Sequence, residues 1–92
     1  MIFNVCAVKD ELTGKFMQPF YVKEEKEALR LFQHNVNSIP LWHDNASDYS
    51  LYHIGMFNED TGMTTTEGTD QEGNRTVHYY KMASGTSVRK EQ

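Results

Sequence analysis

Apolar and polar positions change period along this chain, and each change marks an element. From Ile2 to Val8 the residues are nearly continuously apolar, with Phe3, Val5 and Ala7 on one side of an extended chain and Ile2, Cys6 and Val8 on the other. That is the pattern of a central strand covered on both faces. Asp10-Glu11-Leu12-Thr13-Gly14 supplies an acidic turn opener and a glycine able to take positive φ, which predicts a hairpin. Lys15 to Val22 returns as the partner strand, but Pro19 has no N–H to give a ladder, so this strand belongs at an edge or carries a bulge. From Glu24 to Val36 the period becomes helical. Ala28, Leu29, Phe32 and Val36 gather on one side and Lys23, Lys26, Arg30 and His34 on the other. Glu24, Glu25 and Glu27 suit the positive end of the helix dipole, although no Ser, Thr, Asp or Asn stands at the N-cap.

The second half reads the same way. Asn37 to Asp48 is rich in turn formers and reads as an ordered loop, with Ile39, Leu41 and Trp42 tucked onto the domain. Tyr49 to Phe57 is a strand with apolar residues on both faces, and Gly55 within it marks a bulge or a close backbone contact. Asn58-Glu59-Asp60-Thr61-Gly62 repeats the turn chemistry of residues 10–14, and Met63 to Thr66 folds back from it. Glu67 to Asn74 reads as a flexible connection, Arg75 to Met82 as either a last strand or an interaction segment, and Ala83 to Gln92 as a mobile tail. The expected fold is α+β, a small antiparallel sheet of four to five strands with one helix on one face. Its order is β-β-α-β-β with a possible extra C-terminal strand, in one domain over residues 1–82 with a tail over 83–92.

Composition narrows the function classes. Ninety-two residues fit one domain with a modest core, and 24% charged residues without low-complexity runs argue for a folded chain. No apolar run approaches the length of a membrane span and no leader is visible, so a cytoplasmic protein with no membrane partner is expected. The single cysteine, Cys6, reads as a small apolar side chain in a buried strand. A net charge of −4 counts against a nucleic-acid binder that uses its whole surface. The charge is uneven, however: residues 59–72 hold five acids and no base, whereas Arg75, Lys81, Arg89 and Lys90 face only Glu91 from residue 75 onward.

Reactive chemistry is not visible. His34, His43, His53 and His78 lie at no zinc-ligand spacing with each other or with Cys6, and no metal is expected. No nucleophile with an oxyanion donor and no Gly-rich phosphate loop is identifiable, so neither catalysis, a cofactor nor a small-molecule substrate is expected. Two features fit a polyanion. Lys23, Lys26 and Arg30 place three cations on one helix face, though a solvated face commonly looks like this and is the favoured reading. Arg75-Thr76-Val77-His78-Tyr79-Tyr80-Lys81 interleaves cations with aromatics, the combination that stacks single-stranded bases while neutralising phosphates. A plain strand with core tyrosines is its favoured alternative. The candidate nucleic-acid contacts are Lys23, Lys26, Arg30, Arg75, Tyr79, Lys81, Arg89 and Lys90.

The chain resembles the small nonstructural protein of gokushovirus-type microviruses, phages with small single-stranded DNA genomes. The resemblance lies in Val8-Lys9-Asp10 with Thr13-Gly14-Lys15-Phe16, in Ala28-Leu29-Arg30 leading to Val36-Asn37, and in Pro40-Leu41-Trp42. Above all it lies in Asp48-Tyr49-Ser50-Leu51-Tyr52-His53-Ile54-Gly55-Met56-Phe57 through Thr61-Gly62. It implies a nonenzymatic role in phage genome production in the host bacterial cytoplasm, favouring single-stranded genome synthesis and packaging. The implied partner is single-stranded DNA or the viral replication complex. Copies joined through an edge strand, either the Pro19 strand or Arg75 to Met82, would raise avidity. The alternative is a protein-interaction module docking on the replication initiator, the procapsid or a host factor, with the Trp42 loop or the acidic 59–72 segment as contact. That alternative explains the net charge more easily.

Overall fold

Two long antiparallel strands carry the architecture. In the computed structural model, which describes residues 1–91, β1 (Ile2–Asp10) turns into β2 (Lys15–Phe16) and β3 (Phe20–Val22), both of which pair with β1. Helix α1 (Glu25–Ser38) follows, then α2 (Pro40–Asp44) and a single 3-10 turn at Ala46–Asp48. β4 (Tyr49–Asn58) pairs with β1 from Ile2↔Asn58 to Asp10↔Tyr49. β5 (Met63–Thr65) pairs with the end of β4 and β8 (Tyr80–Ser84) with its beginning. Between these two, β6 (Glu67–Thr69) and β7 (Arg75–Val77) form a separate hairpin, and α3 (Gly85–Val88) ends the order. The fold is α+β with an antiparallel sheet, and its six strand segments occupy four rows. β2 and β3 share one edge, broken at Met17–Pro19 where proline cannot donate. β5 and β8 share the other, broken where the hairpin leaves and returns. At that point the His78 N–H donates to the Thr66 carbonyl (2.7 Å).

The core lies between one sheet face and α1. Cys6 and Val8 of β1 and Tyr49 and Leu51 of β4 meet Ala28, Phe32 and Val36 of α1, with Ala46 beside them. Phe20, Val22, Leu29, Trp42, Met82, Ala83 and Val88 close the margin. Burial, with the Glu25 carboxylate adding, pushes the Cys6 thiol up to about 11, so it stays a packed thiol. Without a side-chain hydroxyl or Asx cap, α1 begins on a reversed bond: the Glu24 N–H donates to Oε1 of Glu27 (3.1 Å).

Four expectations change. The stretch 37–48 is not a loop: α1 runs to Ser38, Pro40 opens α2 with φ preset by its ring, and a 3-10 turn follows. Only Trp42 tucks in, stacked on Tyr49 at 4.7 Å and 12°, whereas Ile39 and Leu41 stay exposed. Residues 67–74, expected as a flexible connection, include β6 and its turn, where Asp70 Oδ1 accepts from the N–H groups of Glu72 and Asn74. The stretch expected to be a mobile tail from Ala83 continues β8, forms α3 and is tied back onto the helices. The Asn37 Nδ2 donates to the Val88 carbonyl (3.0 Å), the Lys90 N–H to Asn37 Oδ1 (2.7 Å), and Arg89 to the His43 carbonyl (3.3 Å). Asn37 is a turn former in sequence, but its side chain recruits a partner 51 positions away. Gln92 lies outside the described residues. The edge break at Pro19 and the bulge beside Gly55 appear as expected.

Candidate nucleic-acid interface

α1 covers one face of the sheet and leaves the other without a helix. Paired antiparallel residues share a face and neighbours along a strand alternate, so the register assigns this open face residue by residue. Phe3, Val5, Ala7 and Lys9 come from β1, and their partners Phe57, Gly55, Tyr52 and Ser50 from β4. Phe16, opposite Lys9, and Tyr21, opposite Val5, come from the near edge; Lys81, opposite Tyr52, comes from the far one. Two interruptions of strand phase make this possible. Tyr52 and Phe57 are an odd number of positions apart and would point oppositely in a regular strand, but a bulge inserts Ile54 between the Val5↔Gly55 and Cys6↔His53 pairs and brings both rings to one side. The break around Pro19 does the same for Phe16 and Tyr21.

The rings converge. Phe16 and Tyr52 meet edge to face at 5.3 Å between centroids, and Tyr79 lies 6.4 Å from Phe16 and 6.1 Å from Tyr52. Tyr21 and Phe57 form a second edge-to-face pair at 5.2 Å. Beneath them Ala7 and Val5 are buried although no helix covers this side, while Phe16, Tyr21 and Tyr79 remain 39%, 52% and 47% exposed. With Phe3, six of the chain's aromatic side chains share the face. The Lys9 ammonium sits 5.6 Å from the Phe16 ring centre and 5.7 Å from that of Tyr52, close enough for cation–π attraction. Lys9 and Lys81 are the charged residues at strand positions of this face. The nearest carboxylate is Glu11 in the turn, 3.8 Å from the Lys9 ammonium.

Tyr79 is held from behind. His53, buried on the helix side, places Nδ1 2.6 Å from the His78 carbonyl and Nε2 2.8 Å from Asn4 Oδ1, and Asn4 in turn donates to the Lys23 carbonyl (2.8 Å). Its ring stacks on Tyr80 at 4.8 Å and 6°, and the Tyr80 hydroxyl donates to Glu25. The residues either side of Tyr79 are thereby tied to β1, β4 and α1.

The cations and tyrosine expected from the sequence fall in several places. Tyr79 and Lys81 belong to the open face. Lys23 lies ahead of α1 and outside it, because the helix begins at Glu25, so the expected three-cation helix face is not formed; Lys26, in the first turn, pairs with Glu24 (3.1 Å). Arg30 and Lys90 line one cavity on the outer side of α1. Arg75 is out on the hairpin, ion-paired with Glu67, and Arg89 caps the His43 carbonyl. Sequence reading missed Lys9, Phe16, Tyr21, Tyr52 and Phe57. Each passes for an ordinary strand residue, and the one available signal was the β1 alternation Phe3, Val5, Ala7 ending on a lysine. Among the described residues no group of three or more His, Cys, Asp or Glu could hold a metal ion, and no helix is long and apolar enough to cross a membrane.

Comparison with known proteins gives one family: the Phage ORF5 protein family matches residues 3–77, which include all of the open face except Tyr79 and Lys81 among the residues named above. No curated protein and no solved structure matches.

Proposed function

Because the chain belongs to the Phage ORF5 protein family, we propose that it serves the phage as a nonenzymatic binder of single-stranded DNA, acting in genome replication and packaging through the open sheet face. The observation that carries this reading is the cluster Phe16, Tyr52 and Tyr79 with the Lys9 ammonium over two of its rings. Solvent-facing rings on a sheet offer stacking surfaces to unpaired bases, and adjacent ammonium groups neutralise phosphates between them. A duplex hides its base faces and gains nothing from such a platform. The overall charge of −4 is compatible because many of the acids lie away from this face, with Glu24, Glu25 and Glu27 at the start of α1, Glu59 and Asp60 at the terminal amine and Glu67 on the hairpin; Glu11, beside Lys9, is the exception.

Fluorescence anisotropy with a labelled single-stranded oligonucleotide and its duplex tests the reading. Binding of the single strand in preference to the duplex is expected, and its loss in a Phe16→Ala/Tyr79→Ala variant that keeps the wild-type circular dichroism spectrum. Equal affinity for both forms, or no binding at low salt, would overturn it. A second reading, docking onto a protein of the replication or packaging machinery, is favoured by the exposed Leu31, Ile39 and Leu41 on α1, its end and α2. Such a complex would survive nuclease treatment.

A further inference from the structure

The side of α1 turned away from the sheet carries a second feature, independent of the open face. A cavity of about 430 Å³ is lined by Arg30, Gln33, His34, Asn37 and Ser38 of α1 and by Lys90. We propose that this cavity binds a phosphate group.

Three observations support it. The lining holds two cations and an imidazole and no carboxylate, in a chain whose net charge is −4. Among the described residues, neither Arg30 nor Lys90 has a carboxylate within 4 Å, although Glu27 lines the adjoining groove with Arg30 and His34. Arg30 therefore presents its donor fork unengaged by a carboxylate, the geometry that suits a tetrahedral oxyanion. Lys90 is not there by chance of a loose end, since its N–H donates to Asn37 Oδ1 (2.7 Å) and its carbonyl lies 2.7 Å from His43 Nε2. The clasp that orders residues 85–90 thus delivers a cation to Arg30 from sixty positions away. The carbonyl end of a helix ordinarily repels anions. Here that end is partly occupied: the Asn35 carbonyl accepts from the Ile39 N–H (3.0 Å), and Asn37 Nδ2 and the Ser38 hydroxyl add side-chain bonds to the Gln33 and His34 carbonyls (2.8 and 2.7 Å).

A phosphate can arrive as a free monoester or within a nucleic-acid backbone, and the two are separable. Amide NMR spectra of the full chain are titrated with inorganic phosphate, with thymidine monophosphate and with a short single-stranded oligonucleotide, at constant ionic strength set with chloride. Saturable shifts at Arg30, Gln33, His34 and Lys90 are expected. Saturation by inorganic phosphate or the mononucleotide identifies a monoester site, and saturation by the oligonucleotide alone identifies a backbone site. Arg30→Gln and Lys90→Gln should each weaken the response about tenfold. Asn37→Ala, which opens the clasp without removing a cation, should weaken it as well. Absence of saturable shifts in all three titrations overturns the proposal, as does an unchanged response in Arg30→Gln with Lys90→Gln combined. Tyr79→Ala on the opposite side of the sheet should leave the phosphate response intact. Loss of that response in Tyr79→Ala would trace the shifts to the sheet face and overturn the cavity assignment, whereas loss of oligonucleotide affinity alone concerns the sheet-face reading.

Discussion

Tyr79 is the residue at which stability and binding separate most cleanly. It is half exposed and carries no backbone constraint of its own, so Tyr79→Ala should cost about 1 kcal/mol of stability or less. If a base stacks on it, the same change should remove about 1–3 kcal/mol of binding, roughly 5- to 150-fold in affinity. Denaturation and anisotropy on the same sample distinguish the two. His53 should behave oppositely. His53→Leu keeps bulk but abandons two short polar contacts at Asn4 Oδ1 and the His78 carbonyl, which should cost about 2–4 kcal/mol in urea denaturation. Cys6 adds a pH signature. The thiol ionises near 9.0 in the unfolded chain but is pushed up to about 11 when folded, so folding favours its protonated form. That contribution is intact below pH 9 and is lost as pH rises from 9 to 11, approaching about 3 kcal/mol. Cys6→Ala should show a shallower fall over this window; parallel curves would contradict the assignment.

At the scale of elements, the two hairpin turns share the same three bonds. Gly14 donates to the Asp10 carbonyl (2.8 Å) and Gly62 to that of Asn58 (2.7 Å). The side chains of Asp10 and Asn58 accept from the N–H two residues on, and Thr13 and Thr61 likewise from Lys15 and Met63. Both glycines sit at φ near +75°, with open space where a side chain would project. Gly14→Ala and Gly62→Ala should therefore cost about 1–2 kcal/mol each through backbone strain alone, and add in the double variant, as chemical denaturation can measure. These turns were legible in sequence because their chemistry is local. α2, the 3-10 turn and α3 were not, because contacts far along the chain fix them: Asn37 with Val88 and Lys90, and Gly85 packed so closely on Ala46 that a side chain there would overlap its carbonyl. The site was half legible for the same reason. Tyr79 and Lys81 stand out as interleaved ring and cation, whereas Phe16, Tyr21, Tyr52 and Phe57 reach one face only through the Pro19 break and the Ile54 bulge. A strict alternation of two cannot anticipate either shift of phase.

For the whole molecule, the arrangement separates charge from shape. Acidic groups gather at the start of α1, the terminal amine and the hairpin, while the ring-bearing face holds two lysines at strand positions, one of them beside Glu11, and the outer side of α1 holds Arg30 and Lys90. So few cations on the sheet face predict a shallow salt dependence for one domain, a slope of log affinity against log salt of about −1.4 for two phosphate contacts on a single strand. A slope much steeper than this would mean that several copies act together, as joining through the edge at β3, beside Tyr21, would allow. The most direct test of the sheet-face reading is photocross-linking to a bromodeoxyuridine-substituted single strand, with adducts located by mass spectrometry. Adducts at Phe16, Tyr21, Tyr52, Phe57 or Tyr79 are predicted. Adducts confined to Trp42, Tyr80 or the helices, or none at all under conditions where the strand is bound, would contradict it.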